Sequence, residues 1–134
     1  CEGNLCTAAT SGGGRIQVFK RTPEGNWQHD HVIEIPLTAE FEDYAGISYR
    51  DGWLGVVSQA SARVWIAEVD PHAKLIVDGS QAVYAFPKAS YGNVEGIAWL
   101  DEQTLVCVSD KKKKRQPAKC EKKDQSIHLF RIPK

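Results

Sequence analysis

The stretch Val94-Glu95-Gly96-Ile97-Ala98-Trp99-Leu100-Asp101, continued by Thr104-Leu105-Val106-Cys107-Val108-Ser109-Asp110, is the second copy of a wording met earlier in the chain. Tyr44-Ala45-Gly46-Ile47-Ser48-Tyr49-Arg50-Asp51 with Trp53-Leu54-Gly55-Val56-Val57-Ser58-Gln59 matches it position for position, Gly46 over Gly96, Ile47 over Ile97 and Asp51 over Asp101. Ser58 falls over Ser109, because the later turn is one residue longer. Each copy reads as two short strands joined by a tight polar turn. A strand ending in proline stands before each: Val32-Ile33-Glu34-Ile35-Pro36 and Val83-Tyr84-Ala85-Phe86-Pro87. An alternating strand follows each, Arg63-Val64-Trp65-Ile66-Ala67-Glu68-Val69 and Ser126-Ile127-His128-Leu129-Phe130-Arg131-Ile132, and a third of this kind, Arg15-Ile16-Gln17-Val18-Phe19-Lys20, precedes the first full unit. The period is 50 to 51 residues.

Four short strands recurring at about 40 to 50 residues are the signature of a β-propeller blade. A helical alternative fails, because apolar residues recur with period 2, rich in β-branched and aromatic side chains, and no long window holds i, i+3, i+4, i+7 spacing without Gly or Pro. Asp51-Gly52, Asp78-Gly79 and Tyr91-Gly92-Asn93 supply turn chemistry. The expected fold is therefore all-β, a partial propeller of about two and a half to three four-stranded antiparallel blades. Its blade parts run over about 1–36, 37–87 and 88–134, in one segment covering 1–134. Propellers close with roughly four to eight blades, so the remaining blades are expected from sequence outside these 134 residues, or else from other copies. The competing architecture is a small β-sandwich or open meander that contains a duplication.

Composition bounds the class. The chain carries 17 basic and 17 acidic side chains and 42% hydrophobic residues. No stretch approaches the ~20 apolar residues of a membrane helix, so a membrane-spanning helix, a collagen and a disordered tail are all set aside. The zero net charge hides an asymmetry: residues 111–123 hold eight Lys or Arg and one Glu, +7, so the rest sums to −7. Such a run is read as a solvated loop, or as a nuclear-import or polyanion-binding patch. Cys1, Cys6, Cys107 and Cys120 can pair in three ways, and their spacing does not match a structural zinc site. Cys107, inside an apolar strand, is expected to be an inert buried thiol, whereas Cys120 is either activated by neighbouring lysines or bonded to the N-terminal pair. No initiator methionine or leader is visible, so a mature form or a piece of a longer protein is expected.

Blade geometry gives one lead to a site. The start of an inner strand and the end of its antiparallel partner share one rim, which should gather Glu95 and Asp110 from one unit and Asp43 and Gln59 from the other. The basic run leaves from the same rim through Lys111, Lys112, Lys113, Lys114 and Arg115. Carboxylates there, Glu95 and Asp110 first, could hold a hard cation such as calcium through oxygen ligands, and the cations could hold an anion. The structural alternative has Asp110 capping a turn and Glu95 paired with a loop lysine. His29-Asp30-His31 places two imidazoles on one face of a strand, and His128 is expected to point away from the core, half exposed. Ser58 and Ser109 have no histidine at a comparable position in either repeat and read as structural. Trp27, Trp53, Trp65 and Trp99 read as packing between blades. No G-x-S-x-G elbow, Walker loop or H-E-x-x-H motif occurs.

The phrase Glu95-Gly96-Ile97-Ala98-Trp99 followed by Val106-Cys107-Val108-Ser109-Asp110-Lys111 resembles the EGIA…VSD blade motif of the broad propeller group that includes SdiA-regulated and phytase/esterase-like proteins. Closer still is a resemblance to eukaryotic proteins without assigned function that carry C-E-G-N-x-x-C, D-Y-[AS] and Q-P-x-x-C-x-x-K-D-Q-S-[IV]-H stretches. Here these read Cys1-Glu2-Gly3-Asn4-Leu5-Cys6, with one fewer spacer, Asp43-Tyr44-Ala45 and Gln116-Pro117-Ala118-Lys119-Cys120 through His128. The resemblance implies a propeller. Its phytase-like branch would imply calcium and phosphate-ester hydrolysis, for which this chain shows few carboxylates in matching positions. The leading expectation is a scaffold that binds a protein or small-molecule ligand. The alternatives are a calcium-dependent phosphoesterase or lactonase, and a binder of nucleic acid or another polyanion through 111–123.

Overall fold

The structure is a computed structural model that describes residues 14–72, 74–87, 93–111 and 125–133. The strand expected near 4–10 lies outside the described residues. Three antiparallel sheets hold β1 (Arg15–Arg21) and β2 (Trp27–Glu34); β3 (Gly46–Arg50), β4 (Trp53–Ser58), β5 (Arg63–Asp70), β6 (Leu75–Ile76) and β7 (Ala82–Ala85); and β8 (Val94–Trp99), β9 (Thr104–Ser109) and β10 (Ile127–Arg131). In the second sheet β3, β4, β5 and β7 pair in that order, and the short β6 pairs only with the far end of β5. Among the described residues there is no α-helix and no sheet closes on itself. A 3-10 turn at Leu37–Ala39 and the strand β6 escaped the sequence reading, each being too short to show a period.

Local chemistry explains the hairpins. Asp51 and Gly52 both adopt positive φ, 49° and 88°, the two-residue turn whose twist matches that of the flanking strands β3 and β4. In β1–β2 the register slips between Val18 and Phe19, so that Val18 pairs with His31 and Phe19 with His29, leaving Asp30 as an extra residue. That bulge corrects one expectation. His29 lies on the outward face, its Nε2 3.0 Å from Gln17 Oε1, whereas His31 shares the inward face of Val18 and contacts Asp30, so the two imidazoles are split between faces.

The sheets pack face to face in one repeated sense. One face of the second sheet, with Leu54, Val56, Trp65 and Ala67, buries against Ile33 and Ile35 of the first, with Ile16 and Val18 alongside. Its other face, with Val57, Val64 and Ile66, buries against Val94, Leu105 and Cys107 of the third, joined by Ile97 and Trp99. β8 approaches β3 closely: a methyl placed on Gly46 would sit 2.8 Å from the Glu95 carbonyl oxygen. The strand pairings run in like register: Gly46 pairs with Val57 as Gly96 does with Val108, and Trp65 stands against Val56 as His128 does against Cys107.

The two ends of this arrangement differ. The outward face of the first sheet mixes exposed Phe19, Trp27 and Val32 with Arg15, Gln17, Arg21, His29 and Glu34. The outward face of the third is apolar, with Val108, Ile127 and Leu129 left 44%, 74% and 65% exposed. His128 accordingly points inward and is buried, against the expectation of a half-exposed side chain. In a strand with apolar side chains on both faces, alternation does not reveal which face is which.

Candidate functional site

The rim expected from the sequence is where the buried polar side chains Ser58, Asn93, Ser109 and His128 lie, at the end of β4, the start of β8, the end of β9 and the start of β10. In the second sheet Asp43 Oδ1 accepts the Ser58 hydroxyl at 2.6 Å and the Ala60 N–H at 3.0 Å. Ser58 Oγ in turn accepts from the Ser61 N–H at 3.1 Å, and Ser61 Oγ accepts from the Glu42 N–H at 2.8 Å. Arg63 closes the edge on Glu40 at 2.5 Å. Asp43 is thus the organiser of the loop between β4 and β5: its carboxylate replaces water for a buried hydroxyl and a backbone donor, which would otherwise be costly to bury.

The second sheet is tied to the third through Asn93. The Gln59 side-chain amide donates to Asn93 Oδ1, Asn93 Nδ2 donates to the Lys111 carbonyl, and the Asp110 N–H donates to the Asn93 carbonyl at 2.9 Å. Asn93 is fully buried and sits at φ 56°, a conformation that asparagine tolerates better than most residues. Sequence reading passed over it as turn chemistry; its position after Gly92, ahead of an apolar strand, was the available signal.

The structure therefore engages Asp43 and Gln59 with protein partners at this rim, and places the Asp110 backbone and the Lys111 carbonyl there too. Glu95 is the bulged residue between Val94 and Gly96 of β8, its carbonyl against Gly46. Lys112, Lys113, Lys114 and Arg115, like Cys1, Cys6 and Cys120, lie outside the described residues. Among the described residues no group of three or more His, Cys, Asp and Glu side chains is arranged to hold a metal ion.

Ser109 has a histidine after all, supplied from the neighbouring strand: His128 Nε2 lies 3.0 Å from Ser109 Oγ, and both residues are buried. Ser109 Oγ also lies 3.4 Å from the Ser126 carbonyl and N–H, so the hydroxyl fastens β10 to β9 as Ser58 fastens its own loop. Burial pushes the neighbouring Cys107 thiol up to about 12, as expected of an inert side chain.

Elsewhere, Asp30 stands in a cluster of cations. Lys74 Nζ at 2.7 Å, His31 Nδ1 at 2.8 Å and Lys20 Nζ at 3.5 Å hold its carboxyl far below the usual carboxylate range, the Lys74 hydrogen bond most of all. This cluster fastens β2 to the segment before β6. Of the tryptophans, Trp65 is fully buried in packing between sheets, whereas Trp27 is 71% exposed and Trp53 is partly exposed beside the turn of β3–β4. No helix among the described residues is long and apolar enough to cross a membrane. Compared with family models, curated proteins and solved structures, the chain matches none of them.

Proposed function

We propose that the chain is part of a β-propeller that serves as a binding scaffold, and that a further sheet of the same design covers the outward face of β8–β9–β10. One observation carries this. Val57, Val64 and Ile66, which bury the third sheet, correspond in strand register to Val108, Ile127 and Leu129, which stand exposed. The repeat thus displays the same docking face twice, occupied once. An exposed patch of this kind on a soluble domain marks an interaction surface.

A scaffold agrees with the rim better than a catalyst does. Asp43, Ser58, Gln59 and Asn93 all spend hydrogen-bonding capacity on holding loops and neighbouring sheets. The calcium-dependent hydrolase and the polyanion binder stay as alternatives, the latter resting on the segment that begins at exposed Lys111. Calorimetry with calcium on the chain and on Glu95→Gln/Asp110→Asn addresses the first; salt-dependent heparin retention of a variant neutralised at Lys111 to Lys114 addresses the second.

Sedimentation of the 134-residue chain, alone and as Ile127→Lys/Leu129→Lys, tests the docking face. The uncovered face should make the isolated chain self-associate, with the double variant monomeric and its circular dichroism unchanged. A wild-type chain that stays at 14.9 kDa up to roughly 100 μM, a concentration at which even weak specific interfaces associate, overturns it.

A further inference from the structure

We propose that the cleft between the second and third sheets, at the end opposite the Asn93 rim, binds a small organic cation of the alkylammonium class. The cleft has a volume of about 380 Å³, within the range of small-ligand sites. Trp53 enters it from β4 and Trp99 from β8, on the two sheet faces that look at each other across the gap. Gly55 makes room: a methyl there would come within 3.6 Å of the Trp99 indole nitrogen and 3.2 Å of Ile97. Ile66, Ile132 and Pro133 supply an apolar floor.

Charge decides the class of ligand. Asp51, Asp101 and Glu102 line the mouth against one guanidinium, Arg50, an excess of two negative charges. Arg50 is already committed, its Nε to Asp51 Oδ2 at 3.2 Å and its Nη1 to the Leu100 carbonyl. Asp101 is fixed in orientation by the Gln103 N–H at 2.9 Å. An anion would meet two uncompensated carboxylates, and a neutral apolar molecule would leave them without a partner. An ammonium carrying methyl groups satisfies both walls: its charge faces Asp101 and Glu102, and its apolar, weakly hydrated surface lies on the electron-rich faces of the indoles. This inference stands independently of the docking face on the third sheet, which lies on the other side of β8–β9–β10.

Choline is the probe, and its uncharged carbon isostere 3,3-dimethylbutan-1-ol is the control. Choline should bind the full chain saturably with Kd of order millimolar and shift the indole N–H signals of Trp53 and Trp99 in NMR spectra while leaving that of Trp27 in place. The isostere should bind at least about fivefold more weakly, Trp53→Ala should weaken choline binding about fivefold or more, and Asp101→Asn/Glu102→Gln about threefold. Glu102→Gln alone changes an exposed side chain and tests the charge even if Trp53→Ala fails to fold. Absence of saturation by about 50 mM, equal binding of the isostere, or an equal shift at Trp27 overturns the proposal.

Discussion

Replacing Gly46 by alanine tests the sheet-to-sheet approach directly. The added methyl would stand 2.8 Å from the Glu95 carbonyl oxygen, 3.3 Å from Val57 Cγ1 and 3.4 Å from Ile97 Cγ2. Carbon–oxygen contacts settle at about 3.3 Å, so β3 and β8 must part by roughly 0.5 Å, and the nearest obstacle is backbone that cannot rotate away. Overpacking of this kind costs about 1–3 kcal/mol, against a gain of about 0.4–1 kcal/mol from a less flexible unfolded chain. A net loss of about 1–2 kcal/mol is expected, lowering Tm by roughly 3–10 °C in a domain of this size. Gly96→Ala is the control, because its methyl meets only Val108, at 2.5 Å from Cγ2, and that half-exposed side chain can change rotamer. Its rotamer cost of about 0.5–1.5 kcal/mol nearly cancels the same entropic gain. Thermal and urea unfolding of both variants decide the matter: a Gly96→Ala penalty equal to or above that of Gly46→Ala would refute the reasoning. In a protein where a fourth sheet covers β8–β9–β10, Gly96 takes on the role of Gly46, and the two penalties converge.

Two further outcomes follow from perturbed groups. Cys107, buried with its thiol pushed up from 9.0 to about 12, should resist iodoacetamide at pH 8 and react once urea unfolds the chain, as peptide mapping by mass spectrometry will show; rapid native labelling contradicts the described core. Asp30 is held ionised by Lys74 and His31, so its contribution to stability is present above the unfolded carboxyl pKa of about 3.9 and is lost as pH falls below it. Asp30→Asn should therefore lower stability at pH 7 and flatten the acid limb of the stability curve, and an unchanged acid limb contradicts the assignment.

The strands were legible because repetition averages out local ambiguity: β3–β4 and β8–β9 carry the same wording and fold alike, with Gly46 and Gly96 in equivalent register. What escaped has two physical causes. The bulge at Asp30 reverses the face of one histidine, and a single extra residue leaves no mark on composition. In β10 the expectation that His128 points away from the core fails because alignment with Val64 and Ile66 puts Ile127 and Leu129 on the outward face and gives His128 the place of Trp65. Strand position alone brings Asp43, Gln59 and the Asp110 backbone to one end of the sheets, whereas the role of Asn93 there is not legible, because burial of an asparagine depends on partners distant in sequence, Gln59 and the Lys111 carbonyl.

The outward face of β1–β2 interleaves its apolar side chains with charged ones, whereas Val108, Ile127 and Leu129 stand together on that of β8–β9–β10. During synthesis from the amino end, the second sheet covers the inward side of the first and presents Val57, Val64 and Ile66, which the third then covers in turn. The hazard of misassociation thus travels with the newest sheet and ends only when a covering surface arrives. Ile127 and Leu129 are the residues at which that hazard is concentrated here, and under the proposed covering sheet charged substitutions at them would trade its docking for solubility of the uncovered chain.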